Sequence, residues 1–213
     1  HSLLLIEDSA ETIGAKWNDK QAGSFGIGCF SFFPTKNITT AEGGMFTTND
    51  SALAERARAM ISHGIVKSDK KNKPWHREAT YAGHNYRMPN PLAAIGVVQL
   101  KKLDQLNKRR KVIAEIYNSD LVSKTDYFKL PHVYEEAEHV YQMYTIQVVN
   151  EQYRDSLIDY LNSMEIGASV HFDPPLHQQK LYSQYIKDNT NLSNTDILSK
   201  TLVSLPIFPT MTD

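Results

Sequence analysis

Two residues of complementary chemistry close apolar runs in this chain: Asp8 ends LLLIED, and Lys36 follows the aromatic run FSFF (30–33) and a proline. Lysine seldom leaves a wet surface, so an amine at the mouth of an apolar strand invites a chemical reading. Ser31, on the same segment as Lys36, adds a hydroxyl. Leu3–Ile6 and Ile27–Phe33 read as buried parallel strands, and the carboxyl ends of parallel strands share one edge where distant residues converge. An amine, a carboxylate and a hydroxyl in a partly dry cleft match the needs of pyridoxal phosphate: a lysine for its Schiff base, an acid for its pyridinium nitrogen, hydroxyls for its phosphate. On spacing alone, an ordinary strand-end ion pair is the commoner use of an aspartate and a lysine.

The elements that must position these groups follow from the pattern. Gly23–Gly26 reads as a turn before the second strand, and Gly43-Gly44 precedes a third, Met45–Thr48. Asn49-Asp50 offers an N-cap for a helix with Leu53, Ala57, Met60 and Ile61 on one face, ended by a left-handed Gly64. Residues 66–84, polar and rich in lysine (SDKKNK, then Pro74), are expected to form an exposed loop. From Pro91 the periodicity predicts one long helix reaching Leu121. Leu92, Ile95, Gln99, Leu103 and Leu106 lie on its seam, which Ile113, Ile116 and Tyr117 continue; its basic middle, Lys108–Lys111, reads as a solvated face. Beyond Val122, His139–Val149 alternates like an antiparallel strand, and Tyr153, Leu157, Tyr160, Leu161 and Met164 mark an amphipathic helix. Gly167–Phe172 reads as a further strand and Asn194–Val203 as a last helix. That order predicts a small α+β domain.

The bulk numbers exclude several classes. The 213 residues are 41% hydrophobic and 22% charged, a globular composition, and a formal net charge of −1 provides no basic field for nucleic acid. No apolar run approaches the roughly 20 residues of a membrane-spanning helix. The single Cys29 excludes an internal disulfide framework and suits a reducing cytoplasm. Eight histidines lie without metal-ligand spacing, so no metal site is expected. The chain opens directly in a strand-like run (HSLLLIED) without an initiator Met or secretion signal, and ends abruptly at TMTD. It is therefore expected to be the later part of a longer, N-terminally truncated polypeptide, its sheet exposing an unpaired apolar edge.

The segments EDSAETIGAKW and GSFGIGCFSFFPTKNITTAEGGMFTTND resemble the DegT/StrS-type nucleotide-sugar aminotransferase family. ISHG (61–64), GHNYRMPNPLAAIGVVQLKKLD (83–104), GASVHFDPPLHQQKLY (167–182) and SLPIFP (204–209) continue the likeness in family order. The resemblance implies an α/β fold, the C-terminal part of a fold type I transferase dependent on pyridoxal 5'-phosphate. Residues 1–106 would be the C-terminal part of the large, mainly parallel-sheet cofactor domain, and residues 107–213 a small C-terminal α+β domain. It also implies a cytoplasmic homodimer that moves an amino group, usually from glutamate, to a nucleotide-linked 4-keto or 3-keto sugar in surface polysaccharide synthesis.

Carried over by the resemblance, Lys36 holds the cofactor as a Schiff base, Asp8 pairs with its pyridinium nitrogen and Ser31 binds its phosphate. Asn85, in HNYRM, resembles the asparagine that reaches the phosphate in the neighbouring subunit, and His171, in SVHF, resembles a residue beside the substrate. Glu11 departs from the Gln or His the family commonly places against the cofactor; a carboxylate there meets the negative ring oxygen of the cofactor unless it is protonated or turned away. Some relatives with histidine in place of the lysine dehydrate or deoxygenate sugars, so Lys36 favours transamination. Two alternatives stand beside that reading: a fragment serving as a dimerisation or regulatory module, and a related enzyme that dehydrates or aromatizes its substrate.

Overall fold

The computed structural model describes residues 3–66, 73, 75–186 and 191–212. It is mixed α/β and divides into two units: residues 1–107 with 135–140, and residues 108–134 with 141–213.

In the first unit the central strand is β4 (Ile27–Ser31). It pairs in parallel with β1 (Ile6–Asp8), Asp8 facing Cys29, and antiparallel with β5 (Gly44–Thr47). The β4–β5 connection carries no crossover helix, which forces that pair to run antiparallel. The run Leu3–Ile6 is not a buried strand. The strand starts at Ile6, with Leu5 O accepting Ile27 N–H at 3.0 Å, and Leu3 is 83% exposed; among the described residues β4 is the one strand beside β1. A second sheet joins β2 (Lys16–Trp17) to β3 (Lys20–Gln21) and to β9 (Ala137–Glu138), with Lys16 bonded to Glu138 at 3.1 Å.

Helix α1 (Ser51–Met60) is capped as expected: an Asp50 carboxylate oxygen accepts the N–H groups of Ala52 and Leu53 at 2.8 and 3.0 Å. Ala59 is its buried residue, while Ile61, placed on the inner face by periodicity, is exposed. Gly64 follows with φ +71°, its N–H on Ala59 O. Where an exposed loop was expected, β6 (Ile65–Val66) and β7 (Glu78–Ala79) pair antiparallel. Residues 67–72 and 74, with most of SDKKNK, lie outside the described residues.

The single long helix is in fact two, α2 (Asn90–Leu100) and α3 (Leu103–Leu121). Lys102 N–H bonds back to Gln99 O at 3.0 Å, a tightened turn that parts them without glycine or proline. Leu103 and Ile113 of the expected seam are buried; Ile95 is exposed.

The second unit is built on β10 (Tyr144–Val148), antiparallel to β11 (Leu202–Leu205) on one side and β8 (Phe128–Lys129) on the other. Tyr144, Ile146 and Val148 alternate inward and join Ala114, Ala168 and Val203 in one core. Helices α4 (Arg154–Ser163) and α5 (Ser193–Thr201) complete it. Three expectations are corrected here. Gly167–Phe172 makes only a bridge at Ser169 to Ser204, since Phe172 turns to φ 62° and leaves the extended course. Val203 belongs to β11 rather than to the last helix. On α4, Leu157 and Leu161 pack against the core while Tyr160, and Tyr153 and Met164 at its two ends, remain exposed. Burial, with Tyr141 and Tyr117 beside it, pushes the Tyr144 phenol up to about 12; its hydroxyl donates to Asn118 Oδ1 at 2.6 Å.

The basic middle of α3 is not wholly a solvated face. Arg110 is 6% exposed, and its Nη1 donates to the carbonyls of Tyr141, Gln142 and Ile207 at 3.1, 3.2 and 2.9 Å. Arg110→Leu strips those acceptors of a charged donor, and a loss of about 2–3 kcal/mol is expected. Chemical denaturation should show this, with Arg110→Lys recovering only part of the loss, because an ammonium lacks the planar fork.

Candidate active site

Lys36 lies in the 32–43 connection between β4 and β5, which closes on itself. Phe32 N–H bonds Gly43 O at 2.9 Å, Thr40 N–H bonds Phe32 O at 3.0 Å, and Thr39 Oγ1 donates to the same carbonyl at 2.9 Å. Ile38 and Thr40 are buried and draw the loop inward. Ile38, more than the aromatic run expected as core, is its apolar anchor; Phe33 is exposed. The Lys36 side chain is 14% exposed, and its Nζ donates to Glu11 Oε1 at 2.7 Å.

Glu11 is delivered by the turn that follows β1. Ser9 N–H continues the parallel ladder onto Cys29 O at 2.9 Å, and Thr12 N–H turns back to Ser9 O. Asn107 Nδ2 then donates to Ile13 O at 3.0 Å, while its Oδ1 accepts Asn37 Nδ2 at 2.6 Å; Asn37 Nδ2 also reaches Val140 O at 3.1 Å. Two buried amides thus tie the residue after Lys36 to the turn that carries Glu11. Gly14, at φ +85°, closes that turn where a Cβ would stand 2.6 Å from Asn107 Nδ2. Asn37 Oδ1 is buried without a hydrogen-bond partner among the described residues.

Asp8 ends β1 opposite Cys29, and Ser31 ends the parallel β4, so both stand at the carboxyl edge of that pair. Asp8 is exposed and accepts Ala10 N–H at 3.2 Å; Ser31 Oγ accepts Phe33 N–H at 3.3 Å. The strand-end ion pair weighed for Asp8 and Lys36 is made instead between Glu11 and Lys36. Asn85 is exposed and bridges to Ser62 beyond α1. His171 is exposed in the second unit, its Nδ1 3.0 Å from Ser204 Oγ.

Sequence reasoning missed Asn37, Asn107 and Glu7. Asn107 follows Leu103 by one helical turn and stands on its buried side, a polar residue in an apolar stripe. The Glu7 carboxylate accepts Gly23 and Phe25 N–H at 2.7 Å and Gly26 N–H at 2.8 Å, locking the turn before β4 onto β1. Burial works against its charge, but the three N–H groups and Lys20 outweigh it and hold its pKa below the usual value.

A model of the DegT/DnrJ/EryC1/StrS aminotransferase family matches residues 1–213. The spore coat polysaccharide biosynthesis protein SpsC of Bacillus subtilis (strain 168) is 33% identical over 223 residues, 100% of this chain and 57% of the relative. Among solved structures, Helicobacter pylori PseC, an aminotransferase involved in the biosynthesis of pseudoaminic acid, superposes with a TM-score of 0.90 at 30% identity, covering 100% of this chain and 56% of that one. Spr1654 of Streptococcus pneumoniae in its PLP-form gives 0.87 at 26% identity, over 99% of this chain and 54% of that one. The chain spans a little over half the length of the relatives it matches.

Gly14→Ala and Asn107→Ala should each lower the melting temperature, and their double variant should lose about 1 kcal/mol less than the sum, since the shortened residue 107 clears the space the new methyl needs. Glu7 has a depressed folded pKa, so its stabilisation is complete above the ordinary 4.5 and is lost as pH falls through the lower folded value. Glu7→Gln should therefore be less stable near neutrality and show a flatter stability–pH curve between 4.5 and the lower folded value in acid titrations followed by circular dichroism.

Proposed function

Because the chain belongs to the DegT/DnrJ/EryC1/StrS aminotransferase family, we propose that it carries the lysine side of the site of a cytoplasmic, homodimeric sugar aminotransferase dependent on pyridoxal phosphate. The enzyme moves an amino group from glutamate to a nucleotide-linked keto sugar of surface polysaccharide synthesis. In this reading residues 1–106 are the C-terminal part of the cofactor domain and residues 107–213 the small domain. The observation that carries it is the 14%-exposed Lys36 amine, held at 2.7 Å by Glu11 in the loop that leaves β4, on the strand edge that also bears Asp8 and Ser31. The spore coat polysaccharide in the name of SpsC supports the choice of a surface polysaccharide.

The residues fit the cofactor: an amine to bind its aldehyde carbon, an exposed carboxylate at the end of β1 and a hydroxyl at the end of β4. When bound, pyridoxal phosphate supplies the electron sink that makes the donor's α-proton removable. Lys36 Nζ would hold the group and, as the free amine, would take that proton and return it. Asp8 would accept the N–H of the ring nitrogen and keep it charged, and Ser31 would donate to the phosphate. Glu11 would hold the Lys36 ammonium, formed once the free amine has taken that proton, in a charge-assisted hydrogen bond. By the family resemblance, Asn85 would reach the phosphate bound in the partner and His171 would serve the substrate.

In the full-length protein, Lys36→Ala should abolish the visible absorption of lysine-bound pyridoxal phosphate and transfer from glutamate to a panel of nucleotide keto sugars. A band that survives this substitution sinks the assignment. Glu11→Gln should keep the band but slow transfer about tenfold, by the loss of one charge-assisted hydrogen bond, as single-turnover kinetics would record.

A further inference from the structure

In the second unit a buried hydroxyl holds an exposed imidazole. Ser204 of β11 stands on the sheet face away from the core, because Val203 beside it and Tyr144 and Ile146 on β10 take the inner face. Ser204 is nonetheless 7% exposed. Its Oγ lies 3.2 Å from Thr145 Oγ1, directly opposite on β10, and 3.0 Å from His171 Nδ1. The sheet thus offers His171 a partner that is itself fixed by a second side chain.

The backbone on both sides of His171 is held as well. Asn162 of α4 trades two hydrogen bonds with Ala168, its Nδ2 donating to Ala168 O and its Oδ1 accepting Ala168 N–H, each at 3.1 Å. Ser169 N–H donates to Ser204 O at 3.1 Å and Ser204 N–H to Ser169 O at 2.8 Å. Past the turn at Phe172 (φ 62°), Asp173 Oδ2 accepts Arg154 Nη2 at 3.2 Å. Because the imidazole is exposed, little apolar burial offsets the entropy of ordering it. What the arrangement yields is a ring edge of fixed orientation and fixed hydrogen-bonding character.

That character follows from counting donors, since each hydroxyl donates once. Among the described residues Thr145 Oγ1 bonds only to Ser204 Oγ. If Ser204 donated to Thr145, the proton of the half-buried Thr145 hydroxyl would have no protein acceptor, and His171 Nδ1 would have to carry the ring proton. In the opposite direction every donor is used: Thr145 donates to Ser204, and Ser204 donates to Nδ1. We propose that Thr145 and Ser204 are positioning residues that hold neutral His171 as its Nε2–H tautomer, a donor for an acceptor oxygen of the sugar substrate. The choice of ligand rests on the sugar aminotransferase reading above; the tautomer rests on the hydroxyl chain alone. In this role the ring binds and orients without carrying a proton.

Two-bond proton–nitrogen correlation spectra of the full-length, cofactor-loaded protein carrying isotope-labelled histidine read the tautomer directly, in alkaline buffer where imidazole is neutral. His171→Gln identifies the signals by their loss. Wild type should show Nε2 protonated and Nδ1 bare. Thr145→Val frees Ser204 Oγ to accept from the ring and should bring in the Nδ1–H form, as should Ser204→Ala, whereas Thr145→Ser should keep the wild-type spectrum. In turnover, Ser204→Ala should raise KM for the nucleotide keto sugar about threefold to tenfold, with kcat changed less. His171→Gln, whose amide keeps a donor, should lie between wild type and His171→Ala. An Nδ1–H form in wild type, a tautomer indifferent to both Thr145→Val and Ser204→Ala, or a kcat loss of about a hundredfold or more in His171→Gln, the mark of a proton carrier, overturns the proposal. The spectra require no substrate and stand even where the visible band survives Lys36→Ala, so the two readings fail separately.

Discussion

The buried amide pair of Asn37 and Asn107 is the constraint on which the first unit's site depends. Amides taken out of water must find partners or cost free energy. Here the partners come from four stretches of chain: the lysine loop, the turn after β1, the start of α3 and Val140. No pair of these stretches satisfies both side chains, so the bonds close only when all of them are in place. Placement of Lys36 and Glu11 is then part of folding rather than an adjustment after it. The Lys36–Glu11 contact, partly exposed and worth little on its own, is set by buried groups whose energies are larger.

The second unit solves a different problem. Its core is a short antiparallel sheet with Tyr144, Ile146, Val148 and Val203 inside, and its two buried arginines serve loops. Arg110 gathers three carbonyls that belong to no ladder, and Arg154 donates to Ser199 O and Asp173. Cations used in this way are structural: they satisfy backbone groups that irregular segments leave open.

What could be read in the sequence was local, and what could not was long-range. Asp50 at a helix start and Gly64 past its end are read from neighbours in the chain, and the structure has both. Lys36 stood out because an amine closed an apolar run, a contrast visible within a few residues. Asn107 gave no such contrast: one polar residue in an apolar stripe acquires meaning only when Asn37, far away in sequence, lies against it. Arg110 was misread for the same reason, since a cluster of basic residues says nothing about carbonyls supplied by residues 141, 142 and 207. The break between α2 and α3 carries no glycine or proline, and the β6–β7 pairing joins residues that, half-buried Ile65 apart, are exposed, so neither has a strong local pattern to betray it.

Gly14, Asn37 and Asn107 also restrict the order in which this chain can change over generations. A side chain at position 14 runs into the Asn107 amide, and shortening residue 107 clears that space while taking the donor from Ile13 O and leaving Asn37 Nδ2 with Val140 O. Drift at any one of the three is opposed by the other two, and even with the space cleared the left-handed backbone at 14 still disfavours a Cβ. The trio therefore behaves as a ratchet: relatives that diverge here must exchange the whole tie at once, or pass through forms whose lysine loop is loosely held.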